Sequence, residues 1–198
     1  MSIKKSILYL LVSLLIAGQT SAAIQIKGKF KNWESHFTKQ GDDLICFAIS
    51  MPMTMEPKNL NRAEARIFVT FRTKDNIRDE VSVTGGYPYK KNIPVDVSIG
   101  SNNFKFSSSE KFAWLPGKND EIKIVRQMKK GNQAKVIGIS ARGNKTTDTY
   151  SLLGFTDAYN SAKNQCKKSC KNRQKAPGKR ANTAQQSCNW QYGGWRGY

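Results

Sequence analysis

Short apolar runs recur along most of the chain, and in many of them every second residue is polar. Runs rich in β-branched and aromatic residues, bounded by Gly, Pro, Asn or Asp clusters, are typical of β-strands. Eight segments between residues 27 and 155 have this pattern: NWESHF, DLICFAIS, ARIFVTFRT, DEVSVTGGY, PVDVSIG, NFKFS, AKVIGISA and TDTYSLLG. So many short strands joined by polar turns predict an all-β domain, a sandwich or barrel, rather than a parallel sheet.

One segment after the sixth strand has helical periodicity. Residues 120–130 follow Asn119, a possible N-cap, and they begin with two acids and end with two lysines. That charge arrangement suits a helix because acids stabilise its first turn and bases its last. Ile122, Val125 and Met128 are predicted to share one face.

A second helix is predicted over residues 157–166, with Thr156 as its N-cap. Ala158, Ala162 and Cys166 are four residues apart and therefore lie on one side of such a helix. Cys166 is predicted to point toward the β-domain.

The segment AKVIGISA-RGNK-TTDTYSLL predicts a hairpin, because Gly143-Asn144 tolerates the positive φ of a tight turn. The predicted pairs are Ala141 with Thr146, Ile139 with Asp148, Ile137 with Tyr150, and Lys135 with Leu152. This register places Asp148 on the core face, where an unpaired carboxylate would be costly. We therefore predict a structural carboxylate that is held by backbone N–H groups or by an arginine such as Arg142 or Arg78.

Residues 1–23 have the three parts of a secretory signal: two early lysines, the apolar run SILYLLVSLLIAG, and small residues before Ile24. The apolar run is shorter than a bilayer requires, so cleavage is predicted and no membrane-spanning helix is expected afterwards. The predicted location is the periplasm or the cell surface. The predicted domains are a signal peptide (1–23), a β-sandwich domain (24–166) and a flexible tail (167–198).

Four cysteines in an exported chain favour disulfides. Cys46, Cys166, Cys170 and Cys188 can pair in three ways, and a zinc site made from all of them ranks below disulfides. We predict Cys46–Cys166, which ties an early strand to the second helix, and Cys170–Cys188 within the tail. No metal or cofactor is expected.

The net charge of +19 is unevenly distributed. Residues 24–166 carry 23 Lys and Arg against 14 acids, a net charge of +9, whereas residues 167–198 carry eight basic residues and no acid. Such a tail is too polar to bury an apolar core, which predicts disorder. It favours an anionic partner, namely a lipid head group or acidic glycan, or an acidic protein, and export argues against nucleic acid. The predicted contacts are Lys167, Lys168, Lys171, Arg173, Lys175, Lys179, Arg180, Arg196, Trp190 and Trp195.

No motif for nucleophilic catalysis or phosphate binding is present. A hydrolase of envelope polymers that uses Asp148 with Glu80 or His36 is the alternative function, and it requires these groups to converge in an open cleft. Gly85-Gly86 followed by Tyr87 and Tyr89 is predicted to be a turn whose tyrosines pack at the edge of the sandwich, and the alternative is an aromatic and cationic binding loop that includes Lys90 and Lys91.

The segments RDEVSVTGGYPYKKNIPVDVSIGSNNFKF, FAWLPGKND and MKKGNQAKVIGISARGNKTTDTYSLLGFTDAYNSAKNQC resemble the invasion-associated locus B family of exported bacterial proteins. Trp33 and the strand CFAIS resemble the start of those domains, so the resemblance spans roughly residues 30–166. It implies an immunoglobulin-like β-sandwich with a role in the envelope or at the cell surface, and it brings no catalytic residues. We therefore predict a non-catalytic interaction module.

Overall fold

A computed structural model describes residues 23–41, 43–75 and 77–175 of the chain. The predicted signal peptide, except for Ala23, and most of the predicted tail lie outside these residues. The elements are β1 (Gln25–Phe30), β2 (Trp33–Gln40), β3 (Asp43–Ser50), β4 (Thr54–Glu56), β5 (Arg66–Arg72), β6 (Ile77–Thr84), β7 (Val95–Ile99), β8 (Asn102–Ser109), β9 (Phe112–Trp114), α1 (Lys118–Lys130), β10 (Gln133–Ile139), β11 (Lys145–Ser151) and α2 (Phe155–Lys175).

All eight predicted strands are present, and the structure adds β1, β4 and β9. β4 and β9 have three residues each, which is too short for a recognisable period. β1 has the polar sequence QIKGKF and is mostly exposed, since it lies at the edge of the sheet. The strand prediction therefore failed only where a strand is short or makes little contact with the core.

The strands pair antiparallel in the order β1-β2-β3-β5-β6-β9-β8-β7-β10-β11-β4. β2 and β11 lie near opposite ends of this order, yet the indole Nε1 of Trp33 donates to the backbone oxygen of Ser151 at 2.9 Å. The sheet must therefore bend back on itself, and one buried cluster includes residues from both halves, such as Val69 and Val97. The mostly-β fold is confirmed, and the bent sheet is consistent with an immunoglobulin-like sandwich.

Helix α1 agrees only partly with its prediction. It starts at Lys118 with Gly117 as the N-cap and without a side-chain capping bond, so Asn119 lies inside the helix. Its buried residues are Ile124, Val125 and Met128, while Ile122 is 40% exposed. The buried face of α1 is thus rotated by part of a turn from the predicted face.

Helix α2 starts at Phe155, directly after Gly154, so Thr156 is inside the helix and is not its N-cap. The prediction that Ala158, Ala162 and Cys166 face inward is confirmed, because all three are fully buried. The helix continues to Lys175, beyond the end of the predicted domain at residue 166. The first residues of the predicted flexible tail are therefore helical.

The predicted disulfide between Cys46 and Cys166 is confirmed, with Cα atoms 5.9 Å apart. It joins the inward face of β3 to the inward face of α2, and both cysteines are fully buried. Phe155 of α2 packs edge-on against Trp33, with ring centroids 4.8 Å apart. The second predicted pair, Cys170–Cys188, falls outside the residues whose side chains are described, and it stays a prediction.

Candidate functional site

Asp148 lies near the middle of β11 and is 1% exposed. Its position on the inward face agrees with the prediction, but the predicted register is wrong. Asp148 pairs with Val136, and Ile139 pairs with Lys145, so the connecting loop contains five residues. The inward residues of β10 are therefore Ala134, Val136 and Gly138 instead of Ile137 and Ile139.

The five-residue loop is closed by its own hydrogen bonds. The backbone N–H of Ser140 donates to the oxygen of Asn144 at 2.9 Å, and the N–H of Gly143 donates to the oxygen of Ser140 at 2.8 Å. The N–H of Asn144 donates to the hydroxyl oxygen of Ser140 at 3.0 Å. Ser140 itself is buried and continues the inward face of β10.

The partner of Asp148 is Arg62, in the loop between β4 and β5, and it is neither Arg142 nor Arg78. Arg62 Nη1 donates to Asp148 Oδ2 at 2.8 Å and Nη2 donates to Oδ1, a two-pronged pair. Each side chain is 2% exposed. Nη1 also donates to the backbone oxygen of Gly85 at 2.9 Å. The hydrogen bonds that Arg62 donates to Asp148 raise the pKa of Arg62 against the opposing effect of burial, so the guanidinium stays charged.

Three tyrosines surround the ion pair. The hydroxyl of Tyr87 lies 2.5 Å from the hydroxyl oxygen of Thr146, and the rings of Tyr87 and Tyr89 meet edge-on with centroids 5.2 Å apart. Burial raises the pKa of Tyr87 and, more strongly, that of Tyr150. The tyrosines are thus neutral packing residues, in agreement with the predicted role of this segment.

Two glycines make room for these rings. A Cβ at Gly138 would lie 2.7 Å from a ring carbon of Tyr89. Gly86 has φ +78°, and a Cβ there would lie 1.9 Å from the backbone oxygen of Ala63. The loop that carries Arg62 can therefore lie directly against the Gly85-Gly86 turn.

The residues of the hydrolase alternative are not brought together. Asp148 faces inward from β11, whereas Glu80 and His36 face outward from β6 and β2. His36 and Glu80 are separated across the sheet by β3 and β5. The ring of His36 stacks on Phe47 and its Nε2 lies 2.7 Å from Glu34. Asp148 is enclosed and bound to Arg62, so its position is that of a structural carboxylate.

A cleft of about 460 Å³ opens above the buried ion pair. We call it the Arg62 cleft; residues 60–63, 86–88 and 140–142 line it together with Lys111 and Asn144. None of these lining residues is acidic.

A second feature lies on the outward side of β3, β5, β6 and β9, and the sequence analysis missed it. The side chains there form a shallow groove of about 530 Å³. We call this surface the open face; its residues are Ile45, Phe47, Phe68, Thr70, Arg72, Glu80, Ser82, Phe112 and Trp114. Phe112 is 49% exposed and Trp114 is 39% exposed. The sequence feature that could have predicted this face is the unbroken apolar run LICFAI of β3, which makes that strand apolar on both faces.

Cross-strand pairing explains how the open face forms. Phe47 pairs with Thr70, which pairs with Glu80 on the next strand. In the neighbouring row, Phe68 pairs with Ser82, and Ser82 pairs with Trp114. Side chains in such rows lie about 5 Å apart, so aromatic and polar groups lie side by side across the four strands.

An acidic cluster lies where α1 meets the edge of the open face. Burial raises the pKa of Glu121 from 4.5 to about 7, and the negative charge of Glu80 adds to this effect, as does the weaker influence of Asp79. Asp79 has φ +63° and sits at an irregularity in the β5–β6 pairing, so it does not simply alternate with Glu80.

A Glu121→Gln variant should therefore be more stable than the wild-type chain at pH 8, by about 1 kcal/mol after allowance for solvent screening. Because the pKa of Glu121 is raised in the folded state, the folded state holds the proton between pH 4.5 and about 7. Wild-type stability then falls as the pH rises through this window. Urea unfolding at pH 5 and pH 8 measures the effect, with Glu110→Gln as an exposed control. Equal stabilisation at both pH values would contradict it.

The predicted anion contacts are only partly within the described residues. Lys167 and Lys168 lie on α2, and the backbone at Lys171, Arg173 and Lys175 continues the helix. The other predicted contacts lie outside the described residues: Lys179, Arg180, Trp190, Trp195 and Arg196.

Two general features of the described chain bear on function. Its helices are all too short or too polar to cross a lipid bilayer. Within the same residues, no three side chains of His, Cys, Asp or Glu are grouped so that they could hold a metal ion.

Comparison with known families gives a match over most of the described chain. The model of a family described as invasion associated locus B (IalB) protein matches residues 33–163, which is more than half of the chain. No curated protein matches the chain. The matched region begins at the Trp33 whose indole joins the two halves of the sheet, and it ends within α2.

Proposed function

Because the chain belongs to the invasion associated locus B (IalB) family, we propose that it is an exported, non-catalytic interaction module of the cell envelope. It docks a partner protein on the open face. The observation that carries this proposal is the row of exposed aromatic side chains on a sheet face that no helix covers in the described chain.

Export is supported by two independent features. Residues 1–23 have the pattern of a secretory signal. The Cys46–Cys166 disulfide is fully buried and joins residues 120 positions apart. Structural disulfides of this kind persist in oxidising compartments such as the periplasm or the cell surface.

A binding role is favoured over catalysis by the state of the candidate groups. Asp148 is engaged by Arg62 on both oxygens and has no solvent access. Glu80 and His36 lie on a different surface and are separated by two strands. A general acid or base must reach the reacting atom, and this arrangement offers no such contact.

The open face has the composition of a protein-docking surface. Aromatic residues and Arg are enriched at protein interfaces and supply most of their binding hot spots. Here Phe112 and Trp114 are exposed on the same face as Arg72. The guanidinium of Arg72 lines the groove and can donate to a carboxylate of a docked chain.

The charge of the chain indicates the chemistry of the partner. A second copy of the exported chain would bring another +17, the +9 of residues 24–166 plus the +8 of residues 167–198, and like charges oppose association. An acidic protein with apolar side chains for the aromatic groove is the better match, because opposite charges also accelerate the encounter. The basic tail adds an electrostatic contact with acidic lipid head groups or glycans of the envelope.

A photo-crosslinking residue at Ser82, in the centre of the open face, should trap one acidic partner protein in intact cells. Trp114→Ser should reduce this adduct strongly and weaken the affinity for the purified partner by about 30-fold or more, since hot-spot residues contribute at least about 2 kcal/mol. The matched control is Leu153→Ser, which removes an exposed apolar side chain outside the open face. Its adduct should be unchanged.

Two further results would discriminate between the possible occupants. A crosslinked dimer of the chain, or an intramolecular adduct with the tail, would contradict docking of a partner protein. Removing residues 176–198 should leave the Ser82 adduct in place but reduce envelope association at low salt. If association at low salt is unchanged, the tail has no part in it.

A further inference from the structure

From the geometry of the Arg62 cleft we infer a second binding site, independent of the open face, for a small organic anion. The ligand class is a sugar-sized molecule that carries a carboxylate or phosphate group. The cleft lies beside the loop that connects β10 to β11, whereas the open face belongs to β3, β5, β6 and β9. Neither site shares a lining residue with the other.

The walls of the cleft are each fixed to the segment of residues 85–90. On one side, Arg62 donates to the oxygen of Gly85 at 2.9 Å and the N–H of Ala63 donates to the oxygen of Gly86 at 3.2 Å. On the other side, the N–H of Ala141 donates to the oxygen of Pro88 at 2.8 Å.

The wall that contains Lys111 is fixed in the same way, because the N–H of Tyr89 donates to the oxygen of Glu110 at 2.7 Å. Beneath all three walls, the Arg62–Asp148 pair anchors the loop to β11. A cleft whose walls are held before binding loses little conformational freedom when it takes up a ligand, which favours affinity.

The charge of the cleft selects the ligand. Lys111 and Arg142 come from different walls, both are exposed, and neither forms an ion pair with another described residue. No lining residue is acidic, and the carboxylate of Asp148 below is already neutralised by Arg62. An anion between Lys111 and Arg142 would therefore gain two charge-assisted contacts without an opposing charge.

The remaining lining residues indicate the size of the ligand. The cleft volume of about 460 Å³ lies in the range of small-molecule sites and greatly exceeds an inorganic phosphate ion. Asn61 and Asn144 offer amide groups, while the ring of Tyr87 and the apolar surface of Pro88 line the same space. This mixture suits a polyhydroxylated ring, with hydrogen bonds at its edge and contact along its face.

The test is calorimetric titration of the purified mature chain, with its tail retained, at low ionic strength. The probes are galacturonate, glucose 6-phosphate, glucose and inorganic phosphate. At least one of the two sugar anions should bind. Binding of galacturonate indicates a carboxylate ligand, and binding of glucose 6-phosphate indicates a phosphate ligand. Glucose should not bind measurably, and phosphate should bind at least tenfold more weakly than the better sugar anion.

A Lys111→Gln/Arg142→Gln variant should weaken binding of that sugar anion by about 100-fold, roughly tenfold for each charged contact. The matched control, Lys39→Gln/Lys135→Gln, removes the same charge from exposed positions outside the cleft and should change the affinity less than twofold. Both variants should unfold at the wild-type temperature, because all four side chains are exposed.

Three results would overturn the inference. These are an absence of binding for both sugar anions, an equal loss in the control variant, and phosphate binding as tight as that of the sugar anions. None of them would affect the Ser82 crosslinking result, so this site and the proposed docking role fail separately.

Discussion

An Arg62→Met variant is expected to have a free energy of unfolding about 3–5 kcal/mol lower than that of the wild-type chain. This is the usual cost of removing one partner from a buried ion pair. The loss leaves the carboxylate of Asp148 in a site where its side chain is 2% exposed. It also leaves the oxygen of Gly85 without its donor from Arg62. Urea unfolding monitored by circular dichroism measures the change.

The double variant Arg62→Met/Asp148→Leu is the decisive control. It removes both charges together, so no buried charge is left without a partner. Replacement of a buried pair by apolar residues of similar volume is often nearly neutral, and we expect the double variant to lie within about 2 kcal/mol of the wild-type chain. If each single variant costs under about 1 kcal/mol, or if the costs add in the double variant, the pair is not the anchor that its geometry indicates.

Removal of the Cys46–Cys166 disulfide by a Cys46→Ala/Cys166→Ala variant is expected to cost about 5 kcal/mol of unfolding free energy. The bond closes a loop with a sequence separation of 120 residues, and a cross-link across so long a loop strongly restricts the unfolded chain. Both sulfur atoms are also fully buried, so their loss leaves a small void between β3 and α2. Thermal and urea unfolding under non-reducing conditions measure the effect.

The matched control is Cys170→Ala/Cys188→Ala, which removes the other two cysteines and should change the unfolding free energy of the domain by less than about 0.5 kcal/mol, the usual range for changes outside a core. Peptide mapping without reductant provides a direct check of the pairing. Recovery of a peptide in which Cys166 is joined to Cys170 or Cys188 would refute the structural disulfide.

Strand positions could be predicted because alternation is a local property. The segments ARIFVTFRT and DEVSVTGGY show it within eight or nine residues, and both became paired strands. The inward face of α2 could be predicted for the same reason, since Ala158, Ala162 and Cys166 repeat at the helical period. From these two local patterns the Cys46–Cys166 disulfide followed.

The register of the β10–β11 hairpin could not be predicted, because both faces of β10 carry apolar residues. Val136 on one face and Ile137 on the other are equally suited to a core. The observed register is set by a five-residue loop, which a hydrogen bond to Ser140 closes, and by the space that Gly138 leaves for the ring of Tyr89. The observed register differs from the predicted one by three residues, since Val136 instead of Ile139 pairs with Asp148. Any shift by an odd number of residues exchanges the faces of a strand, which is why the prediction buried Ile137 and Ile139.

The open face was missed for a related reason. β3 is apolar on both sides, as expected for a strand that is covered on both sides, and Phe68 adds an aromatic side chain to the outward side of β5. Helix α2 lies against the inward face that carries Cys46, and helix α1 meets the open face at its edge, beside Glu80. Only the arrangement of the layers shows that Phe112 and Trp114 remain exposed.

By itself the sequence determined the fold class, the strand positions and the buried side of α2, since each depends on spacing within a short segment. The resemblance of longer segments indicated the family. The sequence also determined that Asp148 needs a partner, because a carboxylate on a core face is costly alone. The tertiary structure decided that this partner is Arg62, which lies 86 residues away in a loop without periodic pattern. Contacts between residues so far apart in the sequence depend on how the layers pack, and short-range sequence patterns do not indicate them.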